Sequence, residues 1–204
     1  MPPDGLFDDS ADDTRTAIME ATYQALVKHG YADLTIQRIA DEFAKSKSLL
    51  YHHHDGKDDL LVDFLEFVLD HFEEGITLSE GSDPDERLRT LVGSLATVND
   101  DPTEEFVGVV VELRAQAVHD DDYAAHFTRS NEFFRDHIAD IVTDGIETGI
   151  FREVDPDRTA SFLLTLANGA MTDDVTTDCP DATRGAREEL DAYVENRLLR
   201  PEKR

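Results

Sequence analysis

Residues 35–54, TIQRIADEFAKSKSLLYHHH, place two short helical signals almost end to end, and that spacing leaves few folds open. From Ile36 the apolar residues fall at Ile36, Ile39, Ala40 and Phe43, the i, i+3, i+4, i+7 stripe of a helix with one buried face. Thr35 precedes the stripe as a cap. Ala44, Lys45 and Ser46 make a short turn, and Ser46 caps a second helix of about two turns, KSLLYHHH. Two short helices across so tight a turn predict a helix-turn-helix, whose second helix has the shape that enters a DNA major groove. The stretch before them, TRTAIMEATYQALVKHGY, offers Ile18, Ala21, Ala25 and Leu26 as a third wall.

The rest of the chain predicts more helices and no sheet. Alternating apolar and polar runs are scarce, and no Asn-Gly or Asp-Gly turn joins two strand-like segments. Asp83-Pro84, Asp101-Pro102 and Asp155-Pro156 each pair an N-cap carboxylate with a proline suited to the first helical position. Gly30 and Gly149 stand where helices should stop. These marks predict about nine helices, near 12–29, 35–43, 46–53, 57–74, 83–99, 102–118, 121–148, 156–176 and 181–199. The expected fold is all-α. A small three-helix module with its N-terminal arm (1–56) leads into a larger helical bundle (57–204).

The segment HGYADLTIQRIADEFAKSKSLLYHHHDGKDDLL resembles the DNA-binding region of TetR-family transcriptional regulators. The matching residues are Gly30, Tyr31, Thr35, Ile39, Ala40, Ser46, Lys47, Leu50, Tyr51, His53, Lys57 and Leu60. Three positions depart from the family pattern. Ala44 stands for the turn glycine, Lys45 for an aliphatic residue, and His54 for the phenylalanine that follows the histidine. On the recognition helix, Lys47, Ser48, Leu49, Tyr51 and His52 are candidates for base or phosphate contact. Lysine reaches guanine acceptors, serine plays either role, and a leucine meets a thymine methyl. Thr35, Tyr51 and Lys57 suit phosphate contact, which sets register without reading sequence. Gln37, Lys45 and Ser46 complete the candidate DNA surface.

Charge alone argues against a nucleic-acid partner. Forty-six acidic residues against nineteen basic ones give a net charge of −27. That self-repulsion is relieved only in concentrated salt, where the Debye length shrinks to about 3 Å at 1 M. The acid-rich, lysine-poor composition resembles that of salt-accumulating halophiles, so most carboxylates read as a solvated surface. The five lysines are unevenly placed, however. Lys28, Lys45, Lys47 and Lys57 fall within thirty residues, leaving only Lys203 elsewhere. With Arg38 they face four acids, Asp33, Asp41, Glu42 and Asp55, so residues 28–57 carry +1 in a strongly acidic chain.

Metal binding and catalysis find little support. Consecutive helical residues project about 100° apart, so His52, His53 and His54 cannot face one ion. His54 and Asp58 have i, i+4 spacing, but Gly56 interrupts them. Asp122 and His126 share that spacing on an acid-rich surface, where such pairs arise by chance. No Glu-x-x-His pair of a di-metal bundle occurs. Nucleophile elbow, P-loop and dinucleotide fingerprint are likewise missing, and Cys179 reads as a loop thiol. No metal, cofactor or enzymatic activity is therefore expected. No apolar run approaches the roughly 18–20 residues of a membrane span, and MPPDGLFDDSADD lacks the features of a signal peptide, so cytoplasm is the default location.

In the bundle, DLLVDFLEFVLDHF carries Leu60, Leu61, Phe64, Phe67, Val68 and Phe72 on one broad face. FVGVVVELRAQAV supplies Phe106, Val109, Val110, Leu113 and Ala117, and HFTRSNEFFRDHIADIV supplies Phe127, Phe133, Phe134, Ile138 and Ile141. The family resemblance implies a small-molecule pocket in this bundle and a dimer interface on its last two helices. The pocket candidates are Phe67, Phe106, Val110, Leu113, Gln116, Phe134, His137 and Asn168, with His119 and Asn131 as further polar groups. An apolar lining without tryptophan points to a largely apolar effector. The interface candidates are Phe162, Leu163, Leu166, Ala170, Leu190, Tyr193 and Val194. A twofold dimer would set two recognition helices on an inverted-repeat operator in double-stranded DNA. The resulting expectation is a homodimeric, effector-controlled regulator, more often a repressor in this family. The alternative is an acidic helical interaction or metal-buffering protein whose helix-turn-helix does not read DNA.

Overall fold

The computed structural model describes residues 2–3, 5–7, 14–43, 49–50, 54–78, 83–96 and 104–200. Eight α-helices lie among them: α1 (Thr14–Asp33), α2 (Ile36–Glu42), α3 (Lys57–Leu78), α4 (Pro84–Ala96), α5 (Glu104–Gln116), α6 (Asp121–Glu147), α7 (Pro156–Thr176) and α8 (Pro180–Tyr193). No β-strand occurs among these residues, which meets the all-α expectation; one isolated antiparallel bridge joins Phe151 to Leu199. The helix expected at 46–53 lies mostly outside the described residues, although Leu49 and Leu50 are helical.

The helix ends follow from local chemistry. Thr35 is extended (φ −137°, ψ 154°), and its hydroxyl accepts the Arg38 amide, capping α2. Asp155 caps α7 in the same way through the Arg158 amide, with Pro156 next in line. Such a cap contributes about 1 kcal/mol. Pro84 opens α4, whereas Asp101-Pro102 falls outside the described residues. Gly30 (φ 65°, ψ 164°) takes non-helical backbone angles, so the regular part of α1 stops at about residue 29 as expected, and a short turn beyond the kink carries the chain to Asp33. Gly149 (φ 78°) follows the end of α6. Both take backbone angles that glycine adopts without a Cβ penalty.

The last helix differs from expectation. Beyond Tyr193 the chain widens into a π-helical turn, Val194–Leu198, closed by the Leu199 amide on the Val194 carbonyl at 2.9 Å. The turn delivers fully buried Leu198 inward and hands the chain to an extended clasp. There Arg152 N donates to Leu198 O at 2.7 Å and Arg200 N to Ile150 O at 2.9 Å.

The chain packs as two units, Met1–Thr77 with Pro102–Thr128, and Leu78–Asp101 with Arg129–Arg204. In the first, α1 packs against α2 and α5. Its core includes Met19, Leu26, Ile39, Leu50, Phe64, Leu113 and Tyr123. Along α3 the deepest face is Leu60, Leu61, Phe64, Leu65, Val68 and Leu69; Phe67 and Phe72, expected there, are only half-buried. In the second unit, α4 packs on α7 and α7 on α8, around Leu88, Ile138, Phe151, Leu163 and Leu198.

Candidate nucleic-acid interface

The helix-turn-helix is held from beneath by its apolar stripe. Ile39 and Ala40 are fully buried, Phe43 nearly so, and Ile36 is half-buried at the entrance to α2. Gln37 points outward from α2 and donates to Asp41 Oδ1 at 3.0 Å. Thr35 is exposed, and its hydroxyl is engaged as the α2 cap. Leu50 is the inward residue of the following segment, with Leu49 half-buried beside it. Six candidates for DNA contact, Lys45, Ser46, Lys47, Ser48, Tyr51 and His52, lie outside the described residues, as does Ala44.

Lys57, the first residue of α3, is held in place. Its ammonium lies 4.0 Å from the centroid of the Tyr31 ring and donates to the Tyr31 carbonyl at 3.1 Å. That contact leaves further N–H donors for a phosphate, since an ammonium carries three. Next to it, Asp58 Oδ1 accepts from Tyr31 Oη at 3.0 Å and from Tyr123 Oη at 3.2 Å. Burial, followed by the bond to Asp58, pushes the Tyr31 phenol up to about 12. The bond pattern ties the end of α1, the start of α3 and the start of α6 together.

His54, the departure from the family pattern, is anchored. Its side chain is 8% exposed, and Nε2 lies 3.0 Å from Asp63 Oδ2 on α3. Asp63 Oδ1 in turn accepts from the Arg15 guanidinium of α1 at 2.9 Å. Burial alone would raise the Asp63 carboxyl, but the hydrogen bonds from His54 and Arg15 outweigh it and hold the group below the usual carboxylate range. Neither partner was apparent in the sequence, because Arg15 and Asp63 are 39 and 9 residues from His54 and match no motif.

Two family models cover these elements. Residues 18–64 match the model of bacterial regulatory proteins of the tetR family, and residues 84–199 match the C-terminal model of BetI-type transcriptional repressors. The chain belongs to the TetR family. Its fold superimposes on a TetR transcription regulator from Haloarcula marismortui with 35% identity and TM-score 0.81, covering 90% of this chain and 97% of the other. A transcriptional regulator from Saccharomonospora viridis, solved with choline, gives 21% identity and TM-score 0.79 over 92% and 98% of the two chains. A TetR-family regulator from Rhodococcus gives 26% and 0.71 over 89% and 96%. No curated protein gives a significant match. As a TetR-family DNA-binding transcription regulator, the chain is not an enzyme.

The pocket candidates divide between the units. Phe106 and Leu113 belong to the buried core of the first, with Phe67 and Val110 packed against it. Phe67 stacks on Phe7 of the N-terminal arm (centroids 6.0 Å, planes 8° apart), and Phe106 leans on Tyr23. Gln116 donates to the Glu112 carbonyl. In the second unit Phe134 is buried, His137 stacks on Phe133, and the Asn168 carbonyl accepts from Thr172. His119 is exposed at the end of the turn after α5. Among the described residues no group of three His, Cys, Asp or Glu side chains could hold a metal, and no helix is long and apolar enough to cross a membrane. His126 is buried with Nδ1 3.6 Å from Glu66, whereas Asp122 faces solvent, so the spacing between these two makes no site.

The interface candidates separate into an inner and an outer set. Leu163, Leu190 and Val194 are buried in the second unit itself, leaving them almost no surface for a partner. Phe162 is 48% exposed and rests against Tyr193 at 4.9 Å between centroids. It borders a groove of about 350 Å³ with Thr165, Leu166, Gly169, Ala170, Asp173 and Ala186. Gly169 was legible as one of the small residues beside Phe162 and Leu166, whereas Thr165, Asp173 and Ala186 were not apparent from apolar periodicity, which selects inward residues and passes over small or polar ones on the outer face.

Proposed function

We propose that this TetR-family protein is a cytoplasmic homodimeric repressor that reads an inverted-repeat operator and releases it on binding a small, largely apolar effector in its helical bundle. The confinement of the lysines to the helix-turn-helix carries this reading. In a chain of net charge −27, four of five lysines lie between residues 28 and 57, where phosphates would be met. The DNA surface comprises Lys45, Ser46, Lys47, Ser48, Leu49, Tyr51 and His52, with Thr35, Gln37 and Lys57 at its margins, and residue 56 is the boundary of the DNA-binding domain. The outer faces of α7 and α8, centred on Phe162, Leu166 and Tyr193, form the dimer contact. The exposed apolar ring of Phe162 and the small residues beside it support this choice.

Selection from a randomised duplex pool in molar potassium chloride tests the reading. An enriched inverted repeat with half-sites about one duplex turn apart is expected. The salt dependence of the selected complex should be shallow, because carboxylates near the DNA take up cations as phosphates release them. A logarithmic slope near −6 or steeper, as several uncompensated phosphate contacts give, would contradict this. Folded, dimeric protein that enriches no sequence would sink the operator reading. A reporter driven through the selected duplex distinguishes repression from activation. Choline, the ligand of the Saccharomonospora regulator, is the first compound to compare with an apolar effector.

A further inference from the structure

We infer that His54 is a positioning residue for operator reading: through Asp63 and Arg15 it fixes the C-terminal end of the recognition segment against α1 and α3. The inference rests on the operator reading proposed above and adds how the reading surface is held.

The segment is fastened at two described points. Leu50 is fully buried, and the His54 amide donates to the Leu50 carbonyl at 3.1 Å. Asp55 and Gly56 then lead directly into α3. One apolar anchor sets depth but leaves rotation about itself free. The His54 ring removes that freedom, because its bond to Asp63 Oδ2 has a direction as well as a length. Asp63 cannot follow the ring passively, since its other oxygen is held by Arg15 at 2.9 Å. Arg15 is itself fixed by Asp70 at 3.5 Å and by lying 5.5 Å above the Phe67 ring.

The hydrogen-bond inventory shows that the histidine does more than fill space. A carboxylate only accepts, so Nε2 carries a proton in this contact, and Nδ1 is the ring's second polar atom. Nδ1 is buried with no partner. A buried polar atom left unpaired is a cost that a phenyl ring of similar size would avoid. What the imidazole adds in return is the directed link to Asp63. That link is of use where the angle of the segment matters, as it does for side chains aimed at base edges.

The test compares wild type, His54→Phe, His54→Gln, Asp63→Asn and the double variant His54→Phe/Asp63→Asn, all in molar potassium chloride. Each is titrated against the duplex selected by wild type and against a shuffled duplex, and thermal unfolding is followed in parallel. His54→Phe should unfold no earlier than wild type yet bind the selected duplex about tenfold or more weakly, the size of one charge-assisted hydrogen bond. Binding to the shuffled duplex should stay unchanged, so discrimination falls. Asp63→Asn should show the same loss, and the double variant should lose no more than either single one, because one linkage has been cut. His54→Gln, which keeps a donor near Nε2, should recover most of the affinity. Undiminished discrimination in His54→Phe, or additive losses in the double variant, would overturn the inference. Should wild type select no duplex, the operator reading fails by itself. Exchange of the His54 amide then decides the anchor: faster exchange in Asp63→Asn supports it, and unchanged protection rejects it.

Discussion

Gly145 offers the sharpest quantitative test of the packing. A Cβ built there would overlap Phe151 Cδ2 and lie 2.5 Å from Cε2 and 2.7 Å from Cγ. All three belong to one ring, so rotating its far end gives no relief. The ring is fully buried, and its backbone is pinned on both sides: Phe151 N donates to Gly145 O at 2.8 Å, and Arg200 Nε donates to Phe151 O at 2.8 Å. Replacing a helical glycine by alanine ordinarily stabilises by up to about 1 kcal/mol. Overpacking a closed core costs about 1–3 kcal/mol, and expelling a phenylalanine about 3–5. The clash therefore outweighs the propensity gain, and Gly145→Ala should lose about 2 kcal/mol net. For a chain of this size that corresponds to a fall in Tm of roughly 4–8 °C. Gly93→Ala, in α4 of the same unit, is the control, because a Cβ there meets nothing within 4 Å. It should match or exceed wild type by up to about 1 kcal/mol. Circular dichroism at the helical band during heating, in molar potassium chloride, measures both. A Gly145→Ala protein as stable as the Gly93→Ala protein would refute the account of the Phe151 clasp.

Three further outcomes follow from the site and the surfaces. The Asp63 carboxyl is held below its usual range, so it contributes stability at neutral pH that fades as pH falls from about 4 through its lower folded value. The stability gap between wild type and Asp63→Asn should therefore narrow between pH 7 and pH 3, and a constant gap would contradict the pairing with His54 and Arg15. Lys57→Gln should weaken binding to specific and shuffled duplexes alike and flatten the salt slope by about one charge; loss confined to the specific duplex would make it a base contact instead. Phe162→Asp should convert the proposed dimer to a folded monomer in sedimentation, because the ring is 48% exposed and its loss leaves no core cavity. An unchanged dimer would move the interface elsewhere.

How far this fold was legible in the sequence depended on how far apart the interacting residues lie. Thr35, Asp155, Gly30 and Gly149 act on backbone within four residues of themselves, and a cap or a left-handed turn at each was readable without tertiary context. The stripe at Ile39, Ala40 and Phe43 was equally local. Periodicity erred where two faces compete. On α3 it chose Phe67 over Leu65 and Leu69, because an aromatic ring weighs heavily in the pattern, yet Phe67 lies half-buried under the arm residue Phe7. The π-helical turn at Val194–Leu198 had no local signal either, since the clasp at its end depends on residues 150–152, more than forty positions away.

The candidate site divides in the same way, and the division bears on how such a regulator is built. The proposed DNA surface lies mostly in one short run of sequence, residues 45–52, so its residue types can be read directly. The frame that aims it is assembled from Arg15, Tyr31, Asp58, Asp63 and Tyr123, joined by single polar bonds across three helices. A chain carrying 46 acids cannot mark such a bond by composition, because Asp63 and Asp58 look like every other carboxylate until their partners are placed. Two polar anchors of this kind, one at each end of the link from the recognition segment into α3, hold that link at His54 and at Asp58. A change at His54, Asp58 or Asp63 would alter the angle of the proposed reading surface without touching any residue assigned to DNA contact. Substitutions at Asp58 and Asp63 should therefore change discrimination between duplexes more than they change binding to nonspecific DNA.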